Sequence, residues 1–171
     1  MSKPFVNLRR RGGLAWAASC ALSWSLTPVN ATAITPTGPG PFSASGEFDV
    51  KIGAAEMMTA PEGAPAMARR RLDKQYRGDL QGQALGEMLA AGQPQAGEAA
   101  YTALESFTGT LQGRRGGFAL AHLGLMHAGG QDLRIAIVPG SGTGELAGIH
   151  GELLLRIEGG AHHYTLNYRF D

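Results

Sequence analysis

Beyond residue 42, apolar and polar side chains alternate in short runs separated by glycine. Phe48, Val50 and Ile52 interleave with Glu47, Asp49 and Lys51. A period of two puts one row of side chains in a core and the other in water, which is the pattern of a half-buried β-strand. Read this way, the chain holds strands over residues 43–52, 70–80, 83–91, 99–111, 117–126, 133–139, 152–158 and 162–170. Breakers fall at 92–97, 113–116, 129–130, 139–144 and 159–160. Residues 83–91 also suit a helix, being rich in Ala, Leu, Glu and Met. Their short length and flanking glycines favour a strand. Residues 54–68, with Pro61, Gly63 and Pro65, read as a long loop. Eight short strands with glycine-marked turns predict a β-sandwich or a closed barrel.

Glycine supports the barrel. The chain has 26 glycines, and several fall inside or at the ends of strands: Gly78, Gly82, Gly86, Gly109, Gly113, Gly124 and Gly148. Strand glycines mark bulges, corners and close backbone approach, all of which a small barrel needs.

The first residues read differently. Lys3, Arg9, Arg10 and Arg11 precede an uncharged run over 12–26, and small residues follow at Val29-Asn-Ala31 and Ala31-Thr-Ala33. A basic start, a short apolar run and a small-x-small site define a secretory signal. The run is shorter than the roughly 20 residues a membrane span needs. The expected organisation is a signal peptide over 1–31, a Pro/Gly-rich linker over 32–42 and one β-domain over 43–171, exported to the periplasm or secreted. Arg9-Arg10-Arg11 fits a twin-arginine signal poorly. Cys20 makes a weak lipid-attachment site, because the apolar run continues past it.

Cleavage changes the chemistry available. The full chain has 15 Lys+Arg against 14 Asp+Glu. Four of the basic residues lie in the leader, which leaves 11 against 14 and a net charge of −3. That argues against a nucleic-acid partner, which needs a basic face. Cys20 is the chain's one cysteine, so the mature domain would have neither disulfide nor thiol chemistry.

Four strand faces carry a single ionisable residue among apolar neighbours: Lys74 between Leu72 and Tyr76, Glu87 between Leu85 and Leu89, Glu105 with Tyr101, Ala103 and Phe107, and His122 with Phe118 and Leu120. A lone buried charge is costly and must be paired or neutralised. A barrel lumen would gather Lys74, Glu87, Glu105 and His122 into one polar cluster, with Glu105 and His122 as candidate acid–base residues and Lys74, Tyr76, Glu87 and Tyr101 as ligand-orienting ones. Pairing across strands is the structural alternative. His162 and His163 are adjacent on a strand and point to opposite faces, so they do not chelate one ion together. Pro139-Gly-Ser-Gly-Thr-Gly144 lacks the ending of a phosphate loop. Ser141 lacks the strand-to-helix elbow of a hydrolase. No metal and no cofactor is expected.

The motifs together resemble a family of small uncharacterised bacterial domains. They comprise Leu72-Asp-Lys-Gln-Tyr-Arg-Gly-Asp-Leu80, Gly86-Glu-Met-Leu89, Tyr101-Thr-Ala-Leu-Glu105, Gly109-Thr-Leu-Gln-Gly-Arg114, Gly117-Phe118, His122-x-Gly124-x-Met126, the run from Val138 to Gly148 and His163-Tyr164. The resemblance spans residues 43–170. Arg115 and Gly140 depart from the family's pattern, both in expected turns. That family is similar in fold to the allene oxide cyclase barrel, so the resemblance implies an all-β, eight-stranded antiparallel barrel with a central cavity. It supplies no reaction, since no motif of the cyclase itself is matched.

Two functions of different class follow as expectations. The first is a cavity protein that binds a small hydrophobic molecule and isomerises or cyclises it. The second is a non-catalytic interaction or structural module of the cell envelope, for which a second copy of the chain is one partner. A metal-dependent enzyme is a third reading with no clear ligand set.

Overall fold

The computed structural model describes residues 41–128 and 130–171. The expected signal peptide and nearly all of the expected linker lie outside the described residues. Alternation within the rest produces ten strands: β1 (Phe42–Ile52), β2 (Glu56–Met57), β3 (Met67–Gly78), β4 (Leu80–Gln93), β5 (Glu98–Leu111), β6 (Arg114–His127), β7 (Gly130–Ile137), β8 (Thr143–Gly144), β9 (Ile149–Glu158) and β10 (Ala161–Phe170). Every expected strand is present, and 83–91 lies within a strand, not a helix.

Eight of the strands close a barrel. Hydrogen bonding runs β1-β10-β9-β7-β6-β5-β4-β3, and β3 pairs back onto β1, with every pairing antiparallel. Closure satisfies the polar groups that an open sheet leaves at its edges. The two short strands patch places where a long strand stops. β2 pairs with Arg69 and Ala68 beyond the reach of β1, and β8 pairs with Gly116 and Gly117 below β7. The thinnest seam lies between β7 and β9, where Ala136 faces Glu152.

Turn chemistry fixes the register. The breaker expected over 113–116 shrinks to two residues, and Arg115 belongs to β6. Gln112 and Gly113 have φ of 47° and 85°, the left-handed pair that joins antiparallel strands tightly. Gly159 and Gly160 do the same between β9 and β10, at 57° and 88°.

The two ends of the barrel differ. At the lower end, the connection between β7 and β9 folds under the barrel, and its Leu146 is fully buried with Leu80, Leu111, Ile149 and Leu166. Ser141 anchors that connection by accepting from the Ala119 N–H at 3.0 Å and donating to the Val138 carbonyl at 2.6 Å. This is the structural part played by the segment with a phosphate-loop appearance. Above Leu146 sits an aromatic layer of Phe48, Tyr76, Phe107, Phe118 and Tyr164, with ring centroids 5.0–5.8 Å apart. Each fully buried large side chain stabilises the fold by about 1.5–3 kcal/mol. At the upper end, inward-facing Val50, Met88, Ala90, Tyr101, Leu133 and Leu155 are only half-buried. The connection at that end, residues 54–66, buries none of its side chains, and the loop expected over 54–68 instead contains β2 and the first residues of β3.

Candidate functional site

Strand parity delivers three ionisable side chains to the middle of the lumen. β3 turns Leu72, Lys74 and Tyr76 inward, β5 turns Ala103, Glu105 and Phe107 inward, and β6 turns Phe118, Leu120 and His122 inward. The Lys74 ammonium lies 2.6 Å from Glu105 Oε2, with side-chain exposures of 7% and 0%. Tyr76 donates its hydroxyl to Glu105 Oε1 at 2.7 Å. His122 Nε2 lies 3.6 Å from the same oxygen, beyond hydrogen-bond length. That nitrogen is buried and has no hydrogen-bond partner among the described residues. Lys74 also sits over the Phe48 ring, 4.6 Å from its centroid, where the ring face attracts the cation.

Small residues make room for this group. Gly86 stands opposite Glu105 in the β4–β5 ladder. A Cβ at Gly86 would lie 2.4 Å from the Leu104 carbonyl and 2.8 Å from Glu105 Cβ. The Tyr101 ring lies across Gly124, where a Cβ would come within 2.2 Å of the ring.

The electrostatics follow from burial and neighbours. Burial alone would raise the Glu105 carboxyl; His122 and Lys74 more than offset it and hold it at about 2. The carboxylate therefore stays charged across the physiological range. Burial, reinforced by the Glu105 charge, pushes the Tyr101 hydroxyl up to about 12, and the same causes raise Tyr76 well above its ordinary value. Both phenols are neutral donors at neutral pH. His122 brings a buried ring nitrogen without a hydrogen-bond partner to face this carboxylate.

Five of the six expected site residues, Lys74, Tyr76, Tyr101, Glu105 and His122, face the lumen. Glu87 does not. It lies on the outer surface, 3.9 Å from Arg69 and 3.8 Å from Arg71, because β4 turns Ala84, Gly86 and Met88 inward and leaves Leu85 exposed. The expected cluster of Lys74, Glu87, Glu105 and His122 therefore contracts to three. The two adjacent histidines do face opposite ways. His162 stacks on Phe48 inside, at 5.0 Å, and His163 reaches Glu47 outside, at 3.2 Å. No group of three or more His, Cys, Asp or Glu residues is arranged to hold a metal ion among the described residues.

Two inward residues escaped the sequence reading. Arg70 shares the parity of Leu72 and Lys74 and donates to the Gly53 carbonyl at 3.1 Å. Extending the alternation of β3 back by one position would have found it. Met88 carries no such signal, because its face of β4 is made of alanine and glycine.

Comparison with known proteins agrees with this architecture. The crystal structure of a protein with unknown function from the DUF3224 family of Shewanella oneidensis MR-1 is 38% identical and superposes with a TM-score of 0.71, covering 77% of this chain and 99% of that one. No curated protein matches the chain. The model of the family described as "Protein of unknown function (DUF3224)" matches residues 44–168, so the chain belongs to the DUF3224 family.

Proposed function

We propose that the barrel binds a small hydrophobic molecule through its upper end and, with His122 as the proton-exchanging group, isomerises or cyclises it. The observation that carries this reading is the asymmetry of the lumen. One end is plugged by Leu146; the other is lined by half-buried apolar side chains, with an ionised Lys74–Glu105 pair and a free His122 nitrogen beneath them. A purely structural core gains little from such a group, since a buried ion pair rarely outperforms apolar packing of the same volume. The described methionines add to the case. Met57, Met58 and Met67 are exposed at the upper end, and Met88 and Met126 are half-buried on its inner wall. Flexible thioethers suit an adaptable apolar mouth. Glu105 acts in this reading as a fixed counter-ion, and Tyr76 and Tyr101 as neutral donors that orient the ligand.

Native mass spectrometry of the protein purified from its own host tests the proposal. A co-purifying small molecule is expected in the wild type and is expected to be lost in folded His122→Ala and Glu105→Gln variants. A wild type with nothing bound, together with variants that bind added apolar probes as well as it does, would sink the site. The outer face offers a second reading as a non-catalytic envelope module, because Leu85, Leu104, Leu123 and Leu125 are exposed together across β4, β5 and β6. In either reading residues 1–31 act as the export signal, and amino-terminal sequencing of the secreted protein locates the cut.

A further inference from the structure

The acids and bases of the barrel are unequally divided between its two faces. Of the 14 acidic residues in the sequence, Glu105 is the one that the strands turn inward and bury. The others on the long strands point outward. There Asp49 pairs with Arg77, Glu87 lies near Arg69 and Arg71, and Glu152 lies near Arg134. The upper lumen instead gathers cations. Lys74 is buried, Arg70 is half-buried two inward positions above it with Leu72 between them, and His122 and His162 also face inward. Glu105 neutralises Lys74 at 2.6 Å. The Arg70 guanidinium donates to the Gly53 carbonyl and has no carboxylate within ion-pair distance among the described residues. Leaving the histidines aside, the upper lumen carries two fixed positive charges and one negative, inside a domain whose net charge is −3.

We infer that the molecule this lumen accepts is an organic anion, with an apolar body against Met88, Leu133 and Leu155 and a single acidic group directed toward Arg70, above the Glu105 carboxylate. This rests on the lumen binding a ligand at all. The partly desolvated wall strengthens the attraction between a guanidinium and an acidic group relative to water. A neutral ligand of the same shape would leave the Arg70 charge without a counter-ion as it excluded water from the mouth, which is costly. Discrimination therefore comes from the anion, while the apolar body supplies most of the area.

Two fluorescent probes with closely related aromatic bodies separate the possibilities on the full chain. Anilinonaphthalene sulfonate carries one negative charge, and phenylnaphthylamine carries none. The neutral probe is the more hydrophobic, so burial alone would favour it. The inference predicts that the sulfonate binds with a Kd lower by roughly tenfold. It predicts that Arg70→Gln, a half-buried position away from the plugged core, removes about that advantage while leaving the neutral probe's Kd and the near-ultraviolet circular dichroism unchanged. If the neutral probe binds as tightly as the sulfonate, or if Arg70→Gln weakens both equally, the inference is overturned while ligand binding stands. If neither probe binds, the cavity reading falls with it.

Discussion

Replacing Glu105 with glutamine would remove the acidic group that the barrel buries and leave Lys74, only 7% exposed, without its counter-ion. The structure sets the expected cost in two independent ways. Breaking a buried pair by removing one partner costs about 3–5 kcal/mol, because the remaining charge stays desolvated. Separately, Glu105 is held at about 2 against an ordinary 4.5. At about 1.4 kcal/mol for each unit of that difference, the folded barrel gains roughly 3 kcal/mol from the ionised form at neutral pH. The two routes agree, and together they amount to a large part of the ~5–15 kcal/mol that holds a domain folded.

The sign of the pH dependence follows from the depressed carboxyl. Its contribution is fully present above the ordinary carboxyl value of 4.5 and is lost as pH falls from there toward about 2. The glutamine variant lacks that contribution at every pH. Urea unfolding followed by far-ultraviolet circular dichroism at a series of pH values should therefore show wild type and Glu105→Gln well separated at neutral pH and converging in acid. A double variant, Lys74→Met with Glu105→Leu, should recover most of the loss, because apolar side chains of similar volume replace the ions. Two results would refute the reasoning. One is a Glu105→Gln variant within about 1 kcal/mol of wild type at neutral pH. The other is a gap between the two proteins that does not narrow in acid.

Three further outcomes are expected. Leu146→Ala should unplug the lower end and destabilise by about 2–5 kcal/mol in urea, the usual cost of a buried cavity; a loss below about 1 kcal/mol would mean the connection does not seal the barrel. Gly124→Ala should cost about 1–3 kcal/mol through the clash with the Tyr101 ring, and a double-mutant cycle with Tyr101→Ala should return a favourable coupling; strict additivity would contradict the contact. Leu104→Gln with Leu123→Gln should change thermal stability little, by about 0.5 kcal/mol or less per site, since both side chains are more than half exposed. A larger loss that grows with protein concentration would show that another chain covers this face.

The strands were legible because alternation is a local property, and the turns because paired glycines announce them. The inward face was legible only where hydrophobicity and parity agree. On β3, β5 and β6 the aromatic residues share a face with Lys74, Glu105 and His122, which points to the core side, although Leu104, Leu123 and Leu125 on the opposite faces of β5 and β6 leave that choice open to alternation alone. β4 reverses that relation. Its large residues Leu85 and Leu89 flank Glu87, while the opposite row is Ala84, Gly86, Met88 and Ala90. Counting apolar residues selects the first row, yet the structure turns the second one inward. The reason lies across the ladder. Glu105 projects into a lumen that eight strands leave narrow, and even one methyl group at Gly86 would come within 2.8 Å of its Cβ. The glycine on β4 is thus imposed by the neighbouring strand, whose Leu104 carbonyl would lie 2.4 Å from an added Cβ, a pairing that no window along a single strand contains. The same logic makes Gly86 a test of the site. Gly86→Ala should displace Glu105 from Lys74 and reproduce much of the Glu105→Gln instability, although it alters no charge. Wild-type stability in Gly86→Ala would mean that β5 yields to the added methyl group and that the close approach does not hold Glu105 in place.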